Sequence, residues 1–193
     1  MRRVAAVAVA AASVLAVAGC SSSGDGKSKG GETRGNPGVT KEERQRADAE
    51  ARERAKDEAA MKDAAVRYEK ARVANDIRTM CSLMTPNKRG GDGSLDGCAQ
   101  RLARLADEKP EPGVNVSIEG TPVDVSPTGG HPQGSGLMVK ETTSKGAQTS
   151  VLREALRMVK TDGAWLVDQK VNVRDEDMSA DSPVRHALMR SSE

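Results

Sequence analysis

Apolar residues change their spacing along this chain, and each change marks a boundary. Val4 to Val17 is apolar except for Ser13, a run of about fourteen residues. Residues 21–39, SSSGDGKSKGGETRGNPGV, carry almost nothing apolar. Between Lys41 and Ala60 the only apolar residue is alanine. From Met61 a stripe begins. Met61, Ala64, Ala65, Tyr68, Ala71 and Ile77 are spaced by threes and fours, as the core-facing side of a helix requires. After Pro112 the period falls to two. Val114, Val116 and Ile118 alternate with Asn115, Ser117 and Glu119, which is a strand pattern.

The helical part starts at a readable signal. Thr40 followed by Glu43 forms a capping box, in which the hydroxyl and the carboxylate satisfy backbone N–H groups at a helix start. Thr40 to Asp76 contains neither Gly nor Pro. Acid-to-base pairs recur four residues apart, among them Glu42 with Arg46, Glu50 with Arg54, and Glu58 with Lys62. Each is worth about 0.2–0.5 kcal/mol on an exposed helix. Alanine alone cannot fill the seam of a coiled coil. Residues 40–62 therefore read as a solvated helical stalk, with a partner-binding helix as the competing reading. Residues 41–62 would reach about 33 Å at 1.5 Å per residue. A folded domain is expected over 63–173.

Within that domain a break is expected at Ala74-Asn75-Asp76, then a short helix Ile77–Met84 that stops before Pro86. Asn87–Asp96 reads as a turn-rich loop. A third helix is expected over Cys98–Asp107, with Leu102 and Leu105 inward, ended by Pro110 and Pro112. Gly120–Pro122 interrupts the first strand, and Val123 and Val125 resume the alternation. Ser126–Gly136 reads as a long flexible turn and Leu137–Glu141 as a short strand. Val151–Lys160 fits helical and strand spacing alike. The Thr161-Asp162-Gly163 hairpin signal and the strand-like Ala164–Val173 after it decide for strand, since a hairpin needs two. Residues 174–193 are polar and read as a flexible tail, disordered or loosely helical.

Charge and composition narrow the function classes. The chain has 30 basic and 28 acidic residues. Arg2 and Arg3 precede the first apolar run, so without that segment the balance is 28 against 28. No basic field remains, and nucleic acid is a poor partner. Aromatics are scarce, with one Trp, one Tyr and no Phe.

The first apolar run is too short for a bilayer core, which takes roughly 20 residues, and suits the core of a signal peptide. It ends Val17-Ala18-Gly19-Cys20. This ending resembles the lipobox of bacterial lipoproteins. The resemblance implies that residues 1–19 are removed and that Cys20 becomes an acylated N-terminus. The alternative is an ordinary signal peptide with an incidental cysteine. Two or three acyl chains anchor stably, whereas one is marginal. Residues 20–39 then form a lipidated, disordered tether spanning about 24 Å as a random coil. The implied location is the extracytoplasmic face of the cell membrane.

With Cys20 committed to lipid, Cys81 and Cys98 remain, in a compartment where disulfides persist. A structural bridge is expected, tying the second helix to the third. The competing readings are a redox pair or a metal site. A catalytic dithiol usually sits as C-x-x-C, and no ligand histidine lies near.

The element order, long helix, two shorter helices, then antiparallel strands ending in a Trp-bearing hairpin, resembles the nuclear transport factor 2-like fold of some actinobacterial lipoproteins. The residues that carry the resemblance are Ala64-Ala65-Val66-Arg67-Tyr68, Asn75-Asp76, Cys81, Cys98 and Lys160-Thr161-Asp162-Gly163-Ala164-Trp165-Leu166-Val167-Asp168. They span about residues 61–173. The fold class it implies is α+β, a cone of three helices on a curved antiparallel sheet. Enzymes of that superfamily, ketosteroid isomerases and SnoaL-like cyclases, use an Asp or an Asp–His pair inside the cone.

The chain offers little such chemistry on its face. His131 lies in Gly-Gly-His-Pro and His186 in the polar tail, so both read as solvent-exposed. Asp124 and Asp168 sit in strands and read as outward and solvated. Gly90, Gly91, Gly93 and Gly97 lack the strand-before, helix-after context of a phosphate loop. No catalytic residue, cofactor or metal is expected. The first expectation is a non-enzymatic module, bound to the bilayer through acylated Cys20 and offered to an envelope protein. A homodimer stays open, since related domains often pair. The second is a binder of small apolar ligands, its pocket lined by Val66, Leu102, Leu156 and Trp165. The third is an isomerase- or cyclase-like enzyme, which would need a buried ionisable group in that pocket.

Overall fold

The computed structural model describes residues 40–105 and 113–190, all within one compact unit that begins at Thr40. The expected signal peptide, Cys20 and the expected tether lie outside the described residues, as do Asp107, Pro110 and Pro112. The elements in order are α1 (Lys41–Val73), α2 (Ile77–Ser82), α3 (Pro86–Arg89), α4 (Leu95–Ala103), β1 (Val114–Val125), β2 (Gly134–Lys145), β3 (Gln148–Thr161), β4 (Ala164–Asn172), α5 (Asp175–Met178) and α6 (Pro183–Arg190). The architecture is α+β, with a four-stranded antiparallel sheet in the order β1-β2-β3-β4. No described helix is long and apolar enough to cross a membrane.

α1 opens on the expected capping box. Thr40 Oγ1 accepts from the Glu43 amide at 3.2 Å, and the Thr40 amide donates to Glu43 Oε2 at 2.7 Å. The helix runs 33 residues without interruption, so stalk and domain helix are one rod about 50 Å long at 1.5 Å per residue. Residues 41–56 are exposed throughout. From Met61 the helix lies on one face of the sheet, touching all four strands. Met61, Ala65 and Tyr68 pack there with Leu137, Val139, Leu156, Met158 and Val167. The rod ends where Asn75 turns to φ 57°, and Asp76 Oδ1 caps α2 through the Thr79 amide at 3.1 Å.

The helical boundaries that follow differ from expectation. Thr85 and Pro86 start the extra turn α3 within the expected loop: Thr85 Oγ1 accepts from the Lys88 amide at 3.2 Å. α4 begins at Leu95 rather than Cys98, because the Ser94 hydroxyl caps the Gly97 amide at 3.0 Å. Leu105 was expected inward but is 74% exposed. The helix has ended at Ala103, so the spacing that brings Leu102 onto the core no longer applies. The Cys81–Cys98 disulfide joins α2 to α4, with both cysteines fully buried and their Cα atoms 6.1 Å apart.

The sheet holds the strand reading of 151–160 and lengthens the rest. β1 is continuous but slips register between Glu119 and Val123, with Gly120 at φ 80°. The expected break is therefore a bulge, not an end. The β3–β4 turn places Asp162 and Gly163 at φ 50° and 79°, the two positive angles of a type I′ hairpin.

The tail is the main correction. Residues 175–178 and 183–190 are helical, and α6 packs on the sheet face opposite α1. Val184, Ala187 and Leu188 meet Val125, Met138 and Ala155 in a second core. Burial of this three-residue apolar stripe outweighs the segment's average polarity. Gly136 makes the approach possible: a Cβ there would lie 2.6 Å from Val184 Cγ1.

Candidate functional site

Two polar constellations lie against the inner layer. The first is built on a β4 irregularity. Arg157 pairs with Gln169, but the next residue, Met158, pairs with Val167. Asp168 is thus the extra residue of a bulge, which re-aims its side chain. It was expected outward and solvated, yet it is 2% exposed. Its Oδ1 accepts from Thr85 Oγ1 at 2.8 Å, and its Oδ2 lies 2.7 Å from His131 Nδ1. Bulge geometry cannot be read from alternation, and that is why the expectation fails.

His131 was expected to be free in a flexible turn. Its loop is instead pinned. Thr128 and His131 exchange backbone hydrogen bonds at 3.1 and 2.8 Å. Fully buried Arg157 donates from Nη1 to the carbonyls of Ser126 and Pro132, each at 2.8 Å, and from Nε to Gln169 Oε1 at 3.0 Å. Burial pulls the Arg157 guanidinium below its ordinary range, and Asp168 works the other way.

Asn87, Lys88, His131, Asp168 and Lys170 line an open cleft of about 330 Å³ here. Burial holds the Lys88 ammonium below its ordinary range, and nearby Lys170 adds to this; Asp168, Glu69 and Glu154 oppose it. Asp168 fixes the orientation of the His131 ring by engaging its Nδ1, so the other ring nitrogen stays available for a further hydrogen bond. The cleft thus offers an oriented imidazole beside a half-buried ammonium.

The second constellation buries three carboxylates beneath two partly exposed cations. Glu69 on α1, Glu141 on β2 and Glu154 on β3 are 0%, 7% and 3% exposed. One carboxylate oxygen from each lies within 4.8 Å of the others. Two cations serve them. Arg72 donates from Nε to Glu69 Oε2 at 2.5 Å, bonds Glu141 through Nη2, and has that Nη2 3.7 Å from Glu154. Lys170 Nζ lies 2.7 Å from Glu154 Oε1 and 3.7 Å from Glu69 Oε2. Burial works against the Arg72 charge, but its bonds to Glu141 and Glu69 more than offset this and raise its pKa. Burial pushes the Glu69 carboxyl up, with Lys170 and Arg72 opposing and Glu154 adding. The neighbouring Tyr68 phenol is likewise pushed up, first by burial and then by Glu69. Sequence reading missed this cluster because each acid looks like an ordinary surface charge. The one available signal was Glu69 beside Tyr68 on the apolar stripe.

The other expected residues are placed as follows. Leu156 belongs to the packed core, Leu102 and Trp165 pack against it, and Val66 is half-buried. None of the four lines a described cleft. Trp165 Nε1 donates to Asp57 Oδ1 at 3.0 Å, and Lys160 Nζ stands 5.7 Å from its ring centre. Asp124 is exposed, as expected. His186 is half exposed, but its Nδ1 lies 2.6 Å from Oδ1 of fully buried Asp177. In comparisons with known proteins, no family model, no curated protein and no solved structure matches this chain.

Proposed function

We propose that this chain is a lipid-anchored extracytoplasmic protein whose α+β domain serves as a non-enzymatic interaction module in the cell envelope. The observation that carries the reading is the allocation of its three cysteines. Cys81 and Cys98 share a buried disulfide, which belongs to an oxidising compartment, and Cys20 stands alone at the end of a lipobox-like segment. The exposed 41–56 part of α1, together with the tether, would hold the domain away from the bilayer. The finer fold assignment, a nuclear transport factor 2-like cone, belongs to this proposal. An α1 helix crossing one face of a four-stranded antiparallel sheet supports it. In this chain the space between helix and sheet is filled by Met61, Tyr68, Leu156 and the ion-paired cluster, which weighs against the apolar-ligand alternative.

A second reading is favoured by one observation. The Asp168–His131 pair with Lys88 beside it has the make-up of an acid–base site, as the enzymatic alternative would require. Copurification of a small molecule lost in His131→Ala would favour that reading.

The test of the first reading is mass spectrometry of protein purified from native membranes. An acylated N-terminus at Cys20 and no free thiol at Cys81 or Cys98 are expected. The Cys20→Ser variant should leave the membrane fraction. A photo-crosslinker in place of exposed Arg54 should capture one defined envelope protein from intact cells. An unmodified N-terminus, or two free thiols, overturns the proposal.

A further inference from the structure

The carboxylate cluster between α1 and the sheet is short of one hydrogen-bond donor. Glu69 Oε1 and Glu154 Oε2 are both buried, and neither has a hydrogen-bond partner. Buried carboxylate oxygens are rarely left so, because each forfeits its hydration without replacement. The nearest cations bond other oxygens, and Arg72 Nη2 stops 3.7 Å short of Glu154 Oε2, beyond hydrogen-bond distance. Arg72 bonds Glu69 Oε2 and Glu141, and Lys170 faces Glu154 Oε1. Among the described residues the three acids meet only these two cations within ion-pair distance. Lys88 on α3 is the next positive group, but it forms no ion pair with any of them among the described residues. Tyr68 adds no charge.

We propose that this cluster is a proton-binding site: at neutral pH one proton resides on Glu69 and is donated within the cluster toward Glu154. A single proton supplies the missing donor and removes the one carboxylate charge that Arg72 and Lys170 leave uncompensated. A divalent cation would do neither as well. It would overshoot the charge and set a third cation beside Arg72 and Lys170. The direction of the Glu69 titration agrees, since burial is the main cause that raises it.

The consequence is a proton taken up on folding. The sign follows from linkage. A carboxyl raised in the folded state contributes stability that is present below the unfolded glutamate value and lost as pH rises through the folded value. Above that point the domain holds a buried charge beside Lys170, which also borders the open cleft.

The experiment is carbon-13 NMR of the full chain in detergent micelles, labelled at the glutamate side-chain carboxyl carbons and titrated between neutral and mildly acidic pH. One carboxyl is expected to keep the chemical shift of the protonated form at neutral pH. That signal should vanish in Glu69→Gln, whose amide keeps the donor. Glu154→Gln supplies an amide donor to Glu69 Oε1, so the Glu69 midpoint should fall toward the ordinary range. Every glutamate ionised at neutral pH overturns the proposal, whether a water, Lys88 or a metal ion proves to fill the gap. Persistence of the protonated signal in Glu69→Gln overturns it as well.

Discussion

The indole nitrogen of Trp165 donates to Oδ1 of Asp57, 3.0 Å away and 108 residues earlier in the chain. Lys160 Nζ reaches the same oxygen at 2.5 Å. This contact marks where α1 leaves the sheet and becomes the solvated arm. The bond to Lys160, then that to Trp165, hold the Asp57 carboxyl below its usual range. Its contribution is present above the unfolded Asp value and is lost as pH falls through the folded value. Because Trp165 is the sole tryptophan, its fluorescence reports the contact. Emission should stay constant through neutral pH and change only on the acid side of the ordinary Asp range. Asp57→Ala should show the altered emission at every pH. Unchanged emission in that variant would mean that the contact does not persist in solution.

The disulfide closes a loop of modest length, since Cys81 and Cys98 are 17 residues apart. The chain-entropy model assigns such a loop about 3 kcal/mol. A reductant, or the Cys81→Ser/Cys98→Ser pair, should lower the denaturation midpoint accordingly, as read by circular dichroism in urea. An unchanged midpoint would rule out a structural role for the bridge.

Leu188 is fully buried under α6, on the sheet face away from α1. Leu188→Ala should cost about 2–5 kcal/mol, the usual range for a core leucine. Gly136→Ala pushes a methyl group against Val184 and Val125 and should cost roughly 1–3 kcal/mol by overpacking. Equilibrium denaturation measures both. A flexible tail would make Leu188→Ala neutral.

Asp177 holds α5 and α6 together. Its Oδ2 accepts from the Arg174 amide at 2.8 Å and meets Arg190 Nη2 at 3.0 Å, while Oδ1 faces His186. Burial works to raise its pKa, but the Arg174 amide and then His186 bring it below the ordinary value. The stability it contributes is present above the unfolded Asp value and lost as pH falls through the folded one. Asp177→Asn should cost roughly 1.5–3 kcal/mol, typical of a hydrogen-bonded charged group. It should also speed amide exchange at Ala187 and Leu188, and flatten the acid side of the stability profile. Exchange at the wild-type rate would count against this linkage.

The His131–Asp168 bond predicts loop order. His131→Ala should raise amide exchange at Thr128 and neighbouring residues while sparing β2 and β3. Asp168→Ala, which also strips Thr85 of its partner, should be the more destabilising of the two. Equal effects would place the loop's anchor in Arg157 alone.

Local order was legible wherever neighbours in sequence settle the matter. Thr40 and Glu43 announce the start of α1, Asn75-Asp76 its end, and Asp162-Gly163 the turn whose two positive φ angles few other residues tolerate. The stripe from Met61 to Ala71 named its own buried face, because helical spacing alone brings those side chains to one side. Cys81 and Cys98 were the two thiols left to pair once Cys20 was set aside.

What the chain could not show alone depends on residues far apart in it. A slip between Arg157 and Met158 turns Asp168 inward, and that slip exists only through pairing with β4. Glu69, Glu141 and Glu154 come from three elements, and only the sheet's register and the seat of α1 bring them within reach. Pro183–Arg190 is too polar to fold on its own account, and it is helical because Gly136 leaves room for Val184 on the sheet. Capping, turn chemistry and periodicity act over a few residues and are written locally. Burial of charge is not, since its cost and its compensation are known only once the whole domain has closed around it.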